Sequence, residues 1–225
     1  MHIGLIGGIG PAATEFYYRG LIDRYAKSNA TLDLTIAHAD VREMARNLAN
    51  GDAKRQADVF AALLRRLAAA GAELAVVSSM GGHFCIRELE AISPIPILNA
   101  IPEVAAEVER RKFKRVGILG TRMVMETRLY GAIASAAVVV PQAEAFEEVH
   151  KNYAEMASVG RVTDAQRRAF VRAGQALSRE QGAEVVLLGG TDLFLAFQSG
   201  ECGFPVLDCA EVHVEAIYRR SLAAA

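Results

Sequence analysis

Most residues of this chain that could do chemistry stand just after short apolar runs. Gly8, Gly10 and Ala13 follow HIGLIG and satisfy G-x-G-x-x-A, the looser form of a dinucleotide fingerprint. There the glycines would let the backbone approach a pyrophosphate at a helix N-terminus. An acidic residue should then close the second strand to hold a ribose, and only Asp40, a little late, is on offer. A broader reading asks less: backbone N–H groups at two helix N-termini bind the carboxylate of a small substrate. Two further runs, Ser79-Met80-Gly81 and Gly189-Gly190-Thr191-Asp192, also follow apolar stretches, as does Thr121. Hydroxyls at Thr121 and Thr191 suit carboxylate oxygens, or they cap helices. Arg42, Arg46 and Arg122 are candidate carboxylate clamps. His38 and Asp40 would lie at the ligand-facing edge of a parallel sheet. Cys85, six residues beyond Ser79, is either a stabilised thiolate at a helix start or a small core residue. Cys209 reads as the end of a strand and Cys202 as part of the GECG loop at 200–203. The three cysteines have no metal-ligand spacing, and an odd count does not suggest a disulfide framework.

These runs recur because the chain is written twice. IGLIGGIG at 3–10 is answered by VGILGTRM at 116–123, GAELAVVSSMGG at 71–82 by GAEVVLLGGTDL at 182–193, and PILNA at 96–100 by PVLDC at 205–209. The order is kept and the spacing barely drifts. Ser79 in the first copy falls opposite Gly190 in the second. Short Val/Ile/Leu runs alternate with stretches of helical period, which predicts parallel βαβ units with right-handed crossovers. Strands are expected over 2–7, 32–39, 73–79 and at IPILNA, with helices over about 13–27, 53–70, 102–111 and 210–222. The expected fold is α/β: two Rossmann-like, doubly wound halves related by a pseudo-twofold axis. Residues 1–100 form the first half and 101–210 the second, with 211–225 a final helix crossing back onto the first.

Composition narrows the function. Hydrophobic residues make up 52% of the 225 and charged residues 23%, enough for a well-filled core. A formal charge of −1 without a basic tract speaks against nucleic acid or a membrane surface as partner. No apolar run reaches the roughly 18–20 residues of a spanning helix, and the N-terminus enters a strand directly. A reducing, cytoplasmic setting is expected.

Several segments are similar to the aspartate/glutamate racemase superfamily, above all its broad-specificity amino-acid racemase branch. GLIGGIGPAATEFYY at 4–18, LGTRMVMETRLY at 119–130, VHKNYAEMASVG at 149–160, LLGGTDL at 187–193 and LDCAEVHVEA at 207–216 carry the resemblance. It implies a substrate pocket between two halves, no cofactor and often a homodimer; the cysteine spacing separately suggests no metal site. It also implies a two-base mechanism, in which one thiolate takes the Cα proton and an opposing thiol returns one. A thiol has a reference pKa near 8.5 that a helix N-terminus or cation readily lowers.

Both thiol positions lack sulfur here: they hold Ser79 and Gly190. A serine hydroxyl is a poor base unless another group takes its proton, and glycine offers nothing. Two-thiol racemisation is therefore expected to be absent or very weak, and Ser79→Cys with Gly190→Cys is expected to raise proton exchange. His213 matches the family's histidine in the last helix, where it either reaches the substrate or packs. His83 reads as a helix-start residue, His150 as part of an interhalf network and His2 as an exposed terminal residue. Gly8, Met80, Gly81, Thr121 and Thr191 form the expected binding shell, with Asp192 orienting its neighbours. Val124 stands where the branch usually has Thr, which hints at a less polar ligand. The expected function is thus a racemase-family protein, nominally an isomerase, holding a small amino, hydroxy or dicarboxylic acid. The alternatives are a lyase, decarboxylase or one-base isomerase using Ser79, His213 or Cys85, and a non-catalytic carboxylate-binding protein.

Overall fold

The first strand, β1 (Ile3–Gly7), is buried along its whole length because both of its faces are covered. Ile6 packs into a cluster with Phe60, Leu64 and Leu67. Ile3 and Leu5 point the other way, onto Tyr17, Leu21 and Tyr25. This alternation is what a strand between two helical layers requires. The chain is a computed structural model that describes residues 1–197 and 202–223. In chain order it then builds α1 (Pro11–Lys27), β2 (Leu34–His38), α2 (Val41–Ala49), α3 (Ala53–Ala69) and β3 (Leu74–Val77). A 3-10 helix (Gly81–Cys85), α4 (Ile86–Ile92) and α5 (Ala100–Arg110) complete the first half. The second half holds β4 (Arg115–Leu119), α6 (Arg122–Glu126), β5 (Ala137–Val139), α7 (Ala143–Val159), α8 (Asp164–Arg179) and β6 (Val185–Leu188). It closes with α9 (Phe194–Phe197), β7 (Val206–Asp208) and α10 (Cys209–Leu222).

Two parallel sheets result, ordered β2-β1-β3 and β5-β4-β6-β7. The repeat read in the sequence is thus a repeat of topology, with β1 and β4 central in their sheets. The expected strand at IPILNA is a correction: only an isolated bridge forms there, between Ala75 and Ile97. Pro94 and Pro96 have no N–H to donate to a ladder. Pro96 O accepts from Ala75 N and Leu98 N donates to Ala75 O, and the segment leaves the sheet after those two bonds.

The final helices exchange places. α5 supplies Ala100, Ile101, Val104 and Val108 to the core around the second sheet. α10 supplies Ala210, Val214 and Ile217 to the core around the first. Arg24 on α1 ties the surface of this packing by pairing with Glu211 and Glu215. Burying a Val or Ile side chain contributes about 1.5–3 kcal/mol, so α10 is held mainly by its apolar face. Cys209 opens α10 instead of ending a strand, with Asp208 capping the helix through Ala210 N at 2.8 Å. α2 has no counterpart among the expected helices.

Candidate active site

The loops after β1, β3, β4 and β6 meet at one buried polar seam. Gly8 and Gly10 take positive φ values of 85° and 91°. At Gly10 the requirement is steric as well: a Cβ there would sit 2.8 Å from Asp192 Oδ1. The Asp192 carboxylate comes from the opposite half and accepts from Ala13 N at 3.0 Å, at the start of α1. The G-x-G-x-x-A loop therefore already receives a protein carboxylate where the sequence suggests an anion. Gly8 N donates to Thr14 Oγ1 at 2.8 Å, and His38 packs over Gly8.

Ser79 is 5% exposed, and its hydroxyl accepts from Gly82 N at 3.1 Å, bracing the 3-10 turn. Met80 is fully buried beneath it. A Cβ on Gly81 would lie 3.7 Å from Thr121 Oγ1 and 3.9 Å from Ser79 Oγ, so these two hydroxyls flank Gly81 from different halves. Thr121 also caps α6, accepting from Val124 N at 3.3 Å. Val124 is buried against Gly189. Tyr130, which sequence reasoning passed over although it ends the quoted LGTRMVMETRLY run, donates to Met80 O at 2.9 Å. It is delivered by three consecutive residues, Arg128, Leu129 and Tyr130, at φ values of 52–57°. Such left-handed residues cost of order 1–3 kcal/mol each outside glycine.

Across the seam stand Thr191 and Asp192. Thr191 is 1% exposed, and its hydroxyl faces the Tyr153 phenol without making a well-formed hydrogen bond to any described residue. Burial pushes the Asp192 carboxyl up to about 6, against the hydrogen bonds from Ala13 and Tyr153 that lower it. Gly190 is not simply an empty position. A Cβ there would lie 2.6 Å from Cζ and 2.8 Å from Cδ2 of Tyr153, inside the ring's van der Waals envelope. Tyr153 arrives from α7, and its phenol donates to Asp192 Oδ2 at 3.2 Å. Burial, then the Asp192 charge, pushes that phenol well above its ordinary value. The expectation for Gly190→Cys must be corrected: the position has no room unless Tyr153 gives way. Tyr153 lies in VHKNYAEMASVG, but only a tertiary contact reveals its role.

The remaining candidates are engaged elsewhere. His213 uses both ring nitrogens, on Tyr17 Oη at 2.9 Å and Leu98 O at 3.0 Å. Burial, with a smaller contribution from His83, depresses it to about 3, so the ring is neutral and has no nitrogen left for a substrate. His83 donates to Ser79 O at 2.6 Å and accepts from Ala100 N at 3.3 Å, and burial depresses it to about 4. His83 thus fixes the backbone of the Ser79 loop. His150 accepts from Arg122 N at 3.2 Å, a bond within the second half and not between halves. His2 is held by Thr35 Oγ1 at 2.9 Å.

Cys85 and Cys209 are fully buried, and burial pushes their thiols up to about 12 and in the same direction for Cys209, so neither supplies a thiolate. Cys202 is buried too, while residues 200–201 of its GECG loop lie outside the described residues. Arg42 pairs with Asp40 at 3.0 Å and Arg122 with Glu147, both at the surface. Arg46 stands in the last turn of α2. No three His, Cys, Asp or Glu side chains among the described residues could hold a metal ion, and no helix there is long and apolar enough to cross a membrane. A surface groove of about 1160 Å³ runs along α1 past Phe16 and Phe194, and Ser79, Thr121 and Thr191 do not line it. Charged residues that already pair with each other, Arg24 with Glu211 and Glu215, flank that groove. The seam is the better chemical candidate.

Two parallel α/β halves whose strand-end loops converge on one polar seam define the class of protein. The sequence profile of the Asp/Glu/Hydantoin racemase family matches residues 6–217, and the chain belongs to that family. Its structure is similar to that of a Yersinia pestis protein assigned to the Asp/Glu racemases, with TM-score 0.83 and 26% identity over 99% of this chain and 100% of that one. It is similar also to an aspartate racemase homologue from Pyrococcus horikoshii, with TM-score 0.76 and 27% identity over 100% and 99%. A Picrophilus torridus aspartate racemase shares the fold at 16% identity and TM-score 0.76, over 98% and 94%.

Proposed function

We propose that the protein binds a small amino, hydroxy or dicarboxylic acid at the seam between its halves, and that the two-thiol mechanism of racemisation is lost. The observation that carries this reading is the Thr191 hydroxyl, buried at the seam without a partner among the described residues. An unsatisfied buried hydroxyl costs about 1–3 kcal/mol. A ligand carboxylate would remove that cost. Ser79 and Thr121 add hydroxyls, and the N-terminus of α1 adds a positive dipole end. The Tyr130–Met80 contact closes the seam, so a ligand enters by parting it. Loss of the two-thiol route rests on Ser79 and Gly190 standing at the paired positions and on the raised, buried thiols elsewhere. A cytoplasmic homodimer working without a cofactor is part of the same proposal, and light scattering reads the oligomeric state.

A thermal-shift screen with L- and D-aspartate, L- and D-glutamate and malate tests the site. A ligand at 100 times its Kd stabilises by about 2.7 kcal/mol. At this chain length that raises Tm by roughly 5–10 °C. No shift with any of these acids would remove the proposal.

A further inference from the structure

Tyr153 does more than fill the space left by Gly190. Its Cζ stands 2.6 Å from the position a Cβ would take, and the phenol oxygen is one bond beyond Cζ. The phenol donates to Asp192 Oδ2 at 3.2 Å, while the Thr191 hydroxyl and the Asp192 N–H face its oxygen. That oxygen therefore stands beside the vacated position, with the Thr191 hydroxyl as its neighbour. A ring serving only as packing would not need a hydroxyl directed onto a buried carboxylate.

We propose that Tyr153 and Asp192 act as a two-residue proton relay on the substrate face that a side chain at 190 would otherwise serve. This rests on the reading of the seam as the acid-binding site. The Cα–H bond of the bound acid breaks and its electron pair delocalises into the adjacent carboxyl group. The proton passes to Tyr153 Oη. The phenol's own O–H bond breaks in the same step, and that proton passes to Asp192 Oδ2. Phenol is re-formed, Asp192 ends protonated, and no oxidant or reductant takes part. Before reversal the protons now held on Tyr153 and Asp192 exchange with solvent, and the reverse step returns a solvent-derived proton to the same face. Ser79, on the other side, has no partner that would make it a base. Exchange therefore proceeds with retention: one enantiomer exchanges its Cα hydrogen and the other is not formed.

Asp192 must start ionised. It faces Tyr153 from α7, Ala13 N–H from α1 and Thr191 in its own loop, with no charged side chain against it among the described residues. Because burial holds its carboxyl up to about 6 in the free protein, kcat/KM for exchange should climb as pH rises through about 6 and then level off.

The test uses the full chain in deuterated water with L- and D-aspartate and L- and D-glutamate in turn. Deuterium at Cα is read by NMR, enantiomers by chiral chromatography and affinity by calorimetry. The expected result is deuterium in one enantiomer without appearance of the other. Tyr153→Phe and Asp192→Asn should each lower the rate by about 100-fold or more. Tyr153→Phe should leave the Kd within about threefold, since it removes a single hydroxyl. Binding without exchange, exchange unchanged in Tyr153→Phe, or a rate that rises only near the thiol range would overturn the relay and leave the site standing. Absence of binding by all four acids would overturn both.

Discussion

Gly190 and Tyr153 make an energetic prediction that does not depend on any activity. Carbon atoms pack at about 3.5–4.0 Å, whereas a Cβ at 190 would meet Tyr153 Cζ at 2.6 Å and Cδ2 at 2.8 Å. The ring would have to retreat by about 1 Å or more to restore that separation. It is 6% exposed, packed into the core of the second half, and tied by its phenol to Asp192. Overpacking of this kind costs about 1–3 kcal/mol. Gly190→Cys should therefore lower stability by that amount, with loss of the bond to Asp192 placing it toward the upper end. Tyr153→Ala should cost more by itself, about 3–5 kcal/mol, because it empties a buried aromatic site. Together the two changes should cost less than their sum, since the new side chain occupies part of the cavity and no longer meets a ring. A coupling of about 1–3 kcal/mol is expected for residues in such contact. Urea unfolding of the four proteins, wild type, both singles and the double, measures it. Costs that add within about 0.5 kcal/mol would refute the steric argument. For the same steric cause, Ser79→Cys with Gly190→Cys should gain no proton exchange until Tyr153 is also shortened.

Other consequences are equally open to measurement. The neutral, buried His83 and His213, depressed to about 4 and 3, bind fewer protons folded than unfolded below pH 6.5, so they destabilise the fold by about 4 kcal/mol between pH 7 and 5. Asp192 and Asp208, raised by burial to about 6 and 7, bind more protons folded and return about the same amount over that window. Wild-type urea midpoints should therefore differ little between pH 7 and 5, while the Asp192→Asn, Asp208→Asn double variant should weaken steeply; parallel behaviour would contradict the offset. Ile217→Ala, which opens a cavity where α10 meets the first-half core, should cost about 2–5 kcal/mol in urea unfolding, and a cost below about 1 kcal/mol would mean that α10 is not anchored there. Tyr130→Phe removes the bond to Met80 O and should loosen the Ser79 loop, seen as faster amide exchange at Gly81 and Gly82 with a stability loss of about 0.5–1.5 kcal/mol; unchanged exchange would refute it.

Much of the fold is legible in the residues, because its elements are fixed by local pattern. β1, β3, β4 and β6 are apolar runs too short for helices, and Tyr17, Leu21 and Tyr25 mark the buried stripe of α1 at four-residue steps. α2 escapes because the one residue it buries is polar, Asn47, whose amide donates to Gln56 on α3 at 2.8 Å. Asp40, which caps α2 through Arg42 N, is a readable helix-start signal, but its place just after the second strand fits a ligand residue equally well. The positions of Ser79, Thr121, Thr191 and Asp192 at strand ends follow from the repeat alone. What they touch does not. Tyr153 reaches Asp192 across 39 residues and Tyr17 reaches His213 across 196, and no local pattern encodes such meetings.

The Thr191 hydroxyl offers the most direct test of a carboxylate site at the seam. Thr191→Val removes a buried hydroxyl without a partner among the described residues, so the free protein should be as stable as wild type or up to about 2 kcal/mol more so. Calorimetry with the acids above should then show affinity reduced by about tenfold or more, because a valine cannot donate to the ligand. A variant that binds these acids as tightly as wild type, or that loses stability when free, would place the ligand elsewhere.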